Sequence, residues 1–309
     1  MAMKIFDAAE TTENLPFPAL IDRMQDMFSQ GLSAPDRHHH TMPMTAEPDA
    51  TLLLMPAWSD RIGCVKIVTA TPGNSARGLP AIAGSVLVFD RATGAHLAVL
   101  DGAVLTTRRT AAASALAARH LARPDARRLL VLGAGKVACQ LPEAFRAVRP
   151  IDEVLVWNRT PGSAQKLVEM LRADGWKADI AEDLSQEVPR ADIISAATLA
   201  TEPVLRGEWL RDGQHIDLLG AFTPAMREAD DLALQRSSIY VDTRFALSEA
   251  GEIKIPLETG AISEANILGD LHTLCIGKDT RRSDTEITLF KSVGNATMDL
   301  AAASLFSTG

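Results

Sequence analysis

Gly133-Ala134-Gly135-Lys136-Val137-Ala138 sets two glycines and an alanine in the order G-x-G-x-x-A, directly after the apolar run Leu129–Leu132. Gly133 would allow a tight turn, Gly135 would let a pyrophosphate approach the backbone, and Ala138 would let a helix lie close on its strand. Free N–H groups at that helix start favour anions. A second apolar segment, "EVLVW", follows at the required distance and ends in Asn158-Arg159-Thr160. A binder of NAD usually carries an acid there for the ribose 2′-hydroxyl. A carboxylate would repel a 2′-phosphate, whereas Arg159 and Thr160 would bind one. The pattern therefore predicts a dinucleotide site for NADPH, with NADH possible, formed by Gly133, Gly135, Lys136, Val137, Asn158, Arg159 and Thr160. The competing readings are a domain that has lost its ligand and an Arg159 that is a solvated surface charge. Pro142, about a turn into the expected helix, should strain it.

A second set of residues implies an anionic ligand. Lys66 lies mid-strand in "GCVKIVT" and by alternation shares a face with Cys64 and Val68. A lysine on an apolar face needs an anion, or its pKa drops; the alternative is an edge strand with Lys66 reaching solvent. Arg108 and Arg109 stand at the expected start of an alanine-rich helix, where they would oppose its dipole unless an anion is near. Solvation of at least one of them is the plainer reading. His38, His39 and His40 are adjacent, and on an extended strand adjacent side chains point to opposite faces, a poor chelating geometry. No metal site is expected.

These residues need a scaffold. From Arg127 on, strand-like segments ("LLVLG", "EVLVWN", "KADIA", "DIISAAT", "HIDLLG", "SIYVDT") alternate with helical or loop segments, which predicts an α/β fold with a Rossmann-type doubly wound parallel sheet. The first hundred residues read differently. A periodic helix over Phe17 to Leu32 precedes "TLLLMPAW", "CVKIVTATP" and a hairpin around Thr93-Gly94, an α+β N-terminal domain. "TTRRTAAASALAARHLA" reads as a helix capped by Thr106 or Thr107, and the segment after Thr285 reads as helical throughout. A net charge of −8 argues against nucleic acid or an anionic membrane surface as partner. Three scattered cysteines suit a reducing compartment. With no apolar leader-like run and no long apolar stretch in this sequence, the cytoplasm is the expected location.

At this point the chain resembles the ornithine cyclodeaminase/μ-crystallin family. The resemblance is carried by "LLLMPAW", "VKIVTATPGNSARGLP", "DRATGAHLAVLDGAVLTTRRTAAASALAARHLA", "VLGAGKVA", "VWNRT", "GAFTPAMREAD", "VDTR" and "EITLFKSVGNATMDLAAA", in order along nearly the whole chain. It implies a substrate-binding and dimerisation domain over residues 1–112, completed by a C-terminal helix at 295–309, and an NAD(P)-binding Rossmann domain over 113–294. It implies a homodimer and a substrate carboxylate held by Arg37, Lys66 and Arg109. Lys66 and Arg109 are then the catalytic candidates. Contacts on the nicotinamide side fall on Thr198, Ser292 and Val293, with Arg109 near the cofactor and Val293 near the substrate.

One departure bears on the reaction. Ornithine cyclodeaminases carry an Asp in a Gly-Gly-Asp sequence after the fifth Rossmann strand; here "LLGAFTPAM" puts Phe222 at that place and Met226 at that of a nearby lysine. A phenyl ring transfers no proton and binds no ammonium. The family's ketimine reductases need only a carboxylate clamp, an apolar wall and a hydride donor, so the expectation is NADPH-dependent reduction of cyclic ketimine carboxylates, giving L-proline or L-pipecolate. Cyclodeamination, alanine or opine-type dehydrogenation, and a non-catalytic NADPH-binding crystallin are the alternatives.

Overall fold

The structure, a computed structural model, describes residues 3–306 apart from Ser33 and Asp279, so the last three residues of the expected 295–309 segment lie outside it. The chain divides into two compact units, one running to Arg109 and resuming at Asn295, the other Thr110–Gly294.

The first unit is built on six strands, β1 (Lys4–Phe6), β2 (His38–Met42), β3 (Ala50–Trp58), β4 (Ile62–Ala70), β5 (Ile82–Asp90) and β6 (His96–Asp101), in the order β1-β6-β5-β4-β3-β2. All neighbours are antiparallel except β1 and β6, so the sheet is mixed. The Asp90 carboxylate closes the β5–β6 hairpin by accepting from the Thr93 N–H and hydroxyl, and Gly94 takes the left-handed conformation the turn needs. The helix Phe17–Ser29 buries Phe17, Leu20, Ile21, Met24, Met27 and Phe28 at helical spacing. It packs on the C-terminal helix Ala296–Ser304, which also lies on β3 and β4. That last helix is buried at every position.

The alanine-rich helix runs from Gly102 to Leu121, longer at its start than expected. Its cap is Asp101, which accepts from the Val104 N–H at 2.8 Å; the Thr107 hydroxyl instead donates to the Val104 carbonyl. Asp101 accepts within the first turn, and Gly102 permits it to sit there because a Cβ would lie 2.5 Å from the Gly84 backbone.

The second unit holds β7 (Arg128–Leu132), β8 (Glu153–Trp157), β9 (Lys177–Ile180), β10 (Ile193–Ala196), β11 (His215–Leu218), β12 (Ser238–Val241), β13 (Ile267–Asp270) and β14 (Thr288–Lys291). All are parallel, in the order β13-β12-β14-β11-β10-β7-β8-β9. Chain direction across the sheet reverses between β7 and β10, the switch point beside which nucleotides bind in such sheets. Most strand residues are buried on both faces, so they read as apolar runs without alternation.

Two expectations fail here. Thr288–Lys291 is not helical but is a central strand inserted between β11 and β12, and the helix starts only at Ala296, capped by the Asn295 side chain. Pro142 causes no strain: the glycine turn leads into a 3-10 turn at Ala138–Gln140, and the helix proper is Leu141–Arg146, so the proline lies in a first turn whose N–H groups need no partner. Among the described residues, no helix is long and apolar enough to cross a membrane.

Candidate active site

In the first unit the structure brings Lys66 and Arg109 onto one carboxylate that sequence reading missed. Lys66 Nζ lies 2.9 Å from each oxygen of Asp299, and Arg109 Nε lies 3.0 Å from Asp299 Oδ1. Arg109 Nη1 also donates to the Met298 sulfur at 3.4 Å. Lys66 is 2% exposed and the Asp299 side chain fully buried. β4 is an interior strand, so the edge-strand reading of Lys66 is wrong: the side chain points under the C-terminal helix, not to solvent. Burial pulls the Lys66 ammonium down to about 8; Asp299 opposes this, and Arg109 and Arg37 add to it. Arg37, half-buried just before β2, is thus within electrostatic reach of Lys66. Lys66 and Arg109 share the single carboxylate of Asp299, two buried cations to one anion, which suits an anionic ligand. Cys64, beside Lys66 on the same face, has its thiol pushed up by burial and by Asp299 and is unreactive.

Neither Arg108 nor Arg109 is solvated, against the plainer reading of that pair. Arg108 donates to the Leu15 carbonyl at 2.7 Å and lies over the Phe17 ring at 4.1 Å, so it ties the alanine-rich helix to the start of the Phe17–Ser29 helix. Because the helix begins at Gly102, both arginines lie beyond its first turn and meet little of the dipole. His38, His39 and His40 form the exposed edge strand β2, with His38 and His40 stacked on one face. Among the described residues, no group of three His, Cys, Asp or Glu could hold a metal ion.

In the second unit Gly133 has φ +115°, and a Cβ on it would lie 2.7 Å from the Ala197 carbonyl at the end of β10. Its N–H donates to the Trp157 carbonyl at the end of β8. The turn therefore sits at the switch point. Gly135 is exposed with open space where a Cβ would be, and Lys136 is exposed beside a half-buried Val137. This shape fits a pyrophosphate lying on the backbone. After β8, the Asn158 amide donates to the Thr160 carbonyl at 3.0 Å, leaving Arg159 and Thr160 exposed at the start of the helix Pro161–Ala173.

The remaining candidates lie on loops after other strands. Thr198 follows β10 and is bonded through both its N–H and its hydroxyl to Glu228. Ser292 and Val293 follow β14; the Ser292 hydroxyl and the N–H groups of Val293 and Gly294 converge on the buried Asp242 carboxylate at 2.7–2.9 Å. Phe222, after β11, is 46% exposed, unusual for a phenyl ring. Sequence reading gave no place to Asp299, Glu228 or Asp242.

A parallel sheet with a glycine turn at its switch point is the frame of a dinucleotide-binding protein. The model of the ornithine cyclodeaminase/mu-crystallin family matches residues 3–307, and the chain belongs to that family. It is 44% identical over 281 residues to the Δ1-pyrroline-2-carboxylate reductase of Paracoccus denitrificans, covering 87% of this chain and 88% of that protein. The structure of the Thermococcus litoralis Δ1-pyrroline-2-carboxylate reductase in complex with NADH and L-proline superposes with a TM-score of 0.85 at 31% identity, over 98% of this chain and 96% of the other. An archaeal alanine dehydrogenase dimer with bound NAD gives a TM-score of 0.89 at 29% identity, over 99% and 95% of the two chains.

Proposed function

We propose that the protein reduces cyclic ketimine carboxylates, Δ1-pyrroline-2-carboxylate and Δ1-piperideine-2-carboxylate, to L-proline and L-pipecolate with NADPH. The observation that carries this reading is the pair of buried cations, Lys66 and Arg109, on the single carboxylate of Asp299, with Arg37 in electrostatic reach of Lys66, in a chain whose loop after β11 offers Phe222 where a cyclodeaminase has an acid. The substrate carboxylate neutralises the cluster's excess charge, and Phe222 supplies an apolar wall for the ring. The nicotinamide nucleotide, when bound, supplies hydride to the imine carbon. Lys66 holds a proton below about pH 8 and Asp299 helps it do so; from Nζ that proton can pass to the imine nitrogen, completing the amine. Arg159 and Thr160 favour the 2′-phosphate of NADPH, while the relative that binds NADH leaves that cofactor as the second choice.

A homodimer fits the outer face of the first sheet, opposite Lys66. By register Ile5, Val99, Leu87, Val65 and Pro56 form one row across that face, with Leu54 and Ile67 in the next. Ile5 and Ile67 are exposed and the others half-buried, which suits cover by a second copy. The cytoplasm, where reduced nicotinamide nucleotides are available, is the proposed location.

The test is to follow NADPH and NADH oxidation with both ketimines, beside ammonia release from ornithine plus NAD. Turnover of at least one ketimine supports the reading. Ornithine turnover without imine reduction overturns it.

A further inference from the structure

One buried carboxylate joins the loops that follow the adjacent strands β10 and β11. Glu228 Oε1 accepts from the Thr198 N–H at 2.7 Å and from its hydroxyl at 2.8 Å. Glu228 Oε2 accepts from the N–H groups of Gly220 at 2.7 Å and Ala221 at 3.3 Å. The two loops touch directly: a Cβ on Gly220 would lie 1.8 Å from the Thr198 carbonyl, so no other residue fits there. Glu228 is itself held in place, because its own N–H and that of Ala229 donate to Glu252.

Burial raises the Glu228 pKa, and Lys291, the two Thr198 donors and the Gly220 N–H act against that rise. Lys291 reaches in from β14 and donates to the Leu218 carbonyl at 3.0 Å. Both oxygens of Glu228 serve as acceptors, so its work is to hold rather than to carry protons. What it holds is specific. One loop carries Thr198 and the other leads directly into Phe222, whereas none of its four bonds reaches the Gly133–Val137 turn or Asn158–Thr160.

We propose that Glu228 is a positioning residue of the reductase: by fixing Thr198 against the Gly220–Phe222 segment it sets the seat of the nicotinamide half of the cofactor. This rests on the reading of the protein as a nicotinamide-dependent reductase. Glutamine in its place keeps the size but turns one acceptor into a donor, so one of the two loops faces an amide N–H with its own N–H and comes loose.

The experiment compares, by titration calorimetry, binding of the reduced cofactor that wild type prefers with binding of the fragment lacking nicotinamide. The fragment is 2′-phospho-ADP-ribose for NADPH and ADP-ribose for NADH. In Glu228→Gln the fragment should bind within about twofold of wild type, while the whole cofactor weakens about tenfold, the scale of one charge-assisted hydrogen bond. Asp192→Asn is the control for a purely structural loss. Asp192 accepts from the N–H groups of Arg127 and Arg128 at the amino end of the sheet, so this variant should lose stability with the ratio of the two affinities unchanged.

If the glutamine variant does not fold, Glu228→Asp carries the test. It keeps a charge near Lys291, shortens the reach, and should shift the ratio the same way. A ratio unchanged from wild type, whether both ligands weaken together or neither does, overturns the proposal. Wild-type turnover of ketimines is read separately. A shifted ratio in a protein that reduces no imine upholds the positioning role and sinks only the reaction.

Discussion

Replacing Lys66 by methionine removes the charge and keeps most of the stem. In the folded chain it leaves the fully buried Asp299 with Arg109 as its remaining cation at 3.0 Å. Removing one partner of a buried ion pair costs about 3–5 kcal/mol, because the other charge stays buried. That is a large part of the roughly 5–15 kcal/mol by which domains are stable. Asp299→Asn strands two buried cations and should cost a similar amount. The double variant removes both charges of the pair, so its loss should fall short of the sum of the single losses by about 2 kcal/mol. Urea unfolding of the four proteins measures this cycle. On the same proteins kcat/KM for the ketimine should drop roughly 10- to 100-fold in Lys66→Met, the loss of one charge-assisted contact worth about 1.5–3 kcal/mol. Additive losses in the cycle would refute the buried pair, and near-normal kcat/KM in Lys66→Met would refute the carboxylate clamp.

Lys66 keeps its charge below about pH 8 and loses it above, so kcat/KM should fall as pH rises through about 8. Asp299 favours the ammonium, so Asp299→Asn should move that fall to lower pH; a pH–rate profile flat through the alkaline range speaks against Lys66 as clamp and proton source. Arg159→Asp should weaken NADPH relative to NADH by about tenfold or more, through loss of a charge-assisted phosphate contact; a wild type that already prefers NADH shows that Asn158-Arg159-Thr160 does not read the phosphate. Phe222→Leu should keep substantial ketimine turnover with a looser choice of ring size, while Phe222→Asp should impair it, since a carboxylate facing an apolar ring is poorly solvated. The opposite ranking of those two kcat/KM values removes Phe222 from the substrate wall.

The parallel sheet was legible because most of its strands are apolar runs buried on both faces and separated by helices; the edge strand β9 alternates instead, with Lys177 and Asp179 exposed. Thr288–Lys291 escaped for a local reason. Four residues without alternation, close to an alanine-rich helix, carry no signal of their own, and only pairing with β11 and β12 makes them a strand. The clamp was half legible. Lys66 on an apolar face required an anion, but Asp299 lies 233 residues away in sequence and on a helix buried all round, where helical periodicity marks no face. The usable signal was a lone acid in "ATMDLAAAS" beside a lone lysine elsewhere, since a buried charge seeks a partner. Glu228 and Asp242 gave none, because apart from one hydroxyl each what they bind is backbone, and backbone N–H groups leave no trace in residue type.

Transfer of label is the most direct test of the central claim. Wild-type protein is given Δ1-pyrroline-2-carboxylate with nicotinamide cofactor deuterated at C4 on the transferred face, and the product is read by NMR and mass spectrometry. L-proline carrying one deuterium on Cα is the predicted result. Unlabelled proline, or no proline while ornithine plus NAD releases ammonia, would contradict hydride reduction of a ketimine carboxylate by this chain.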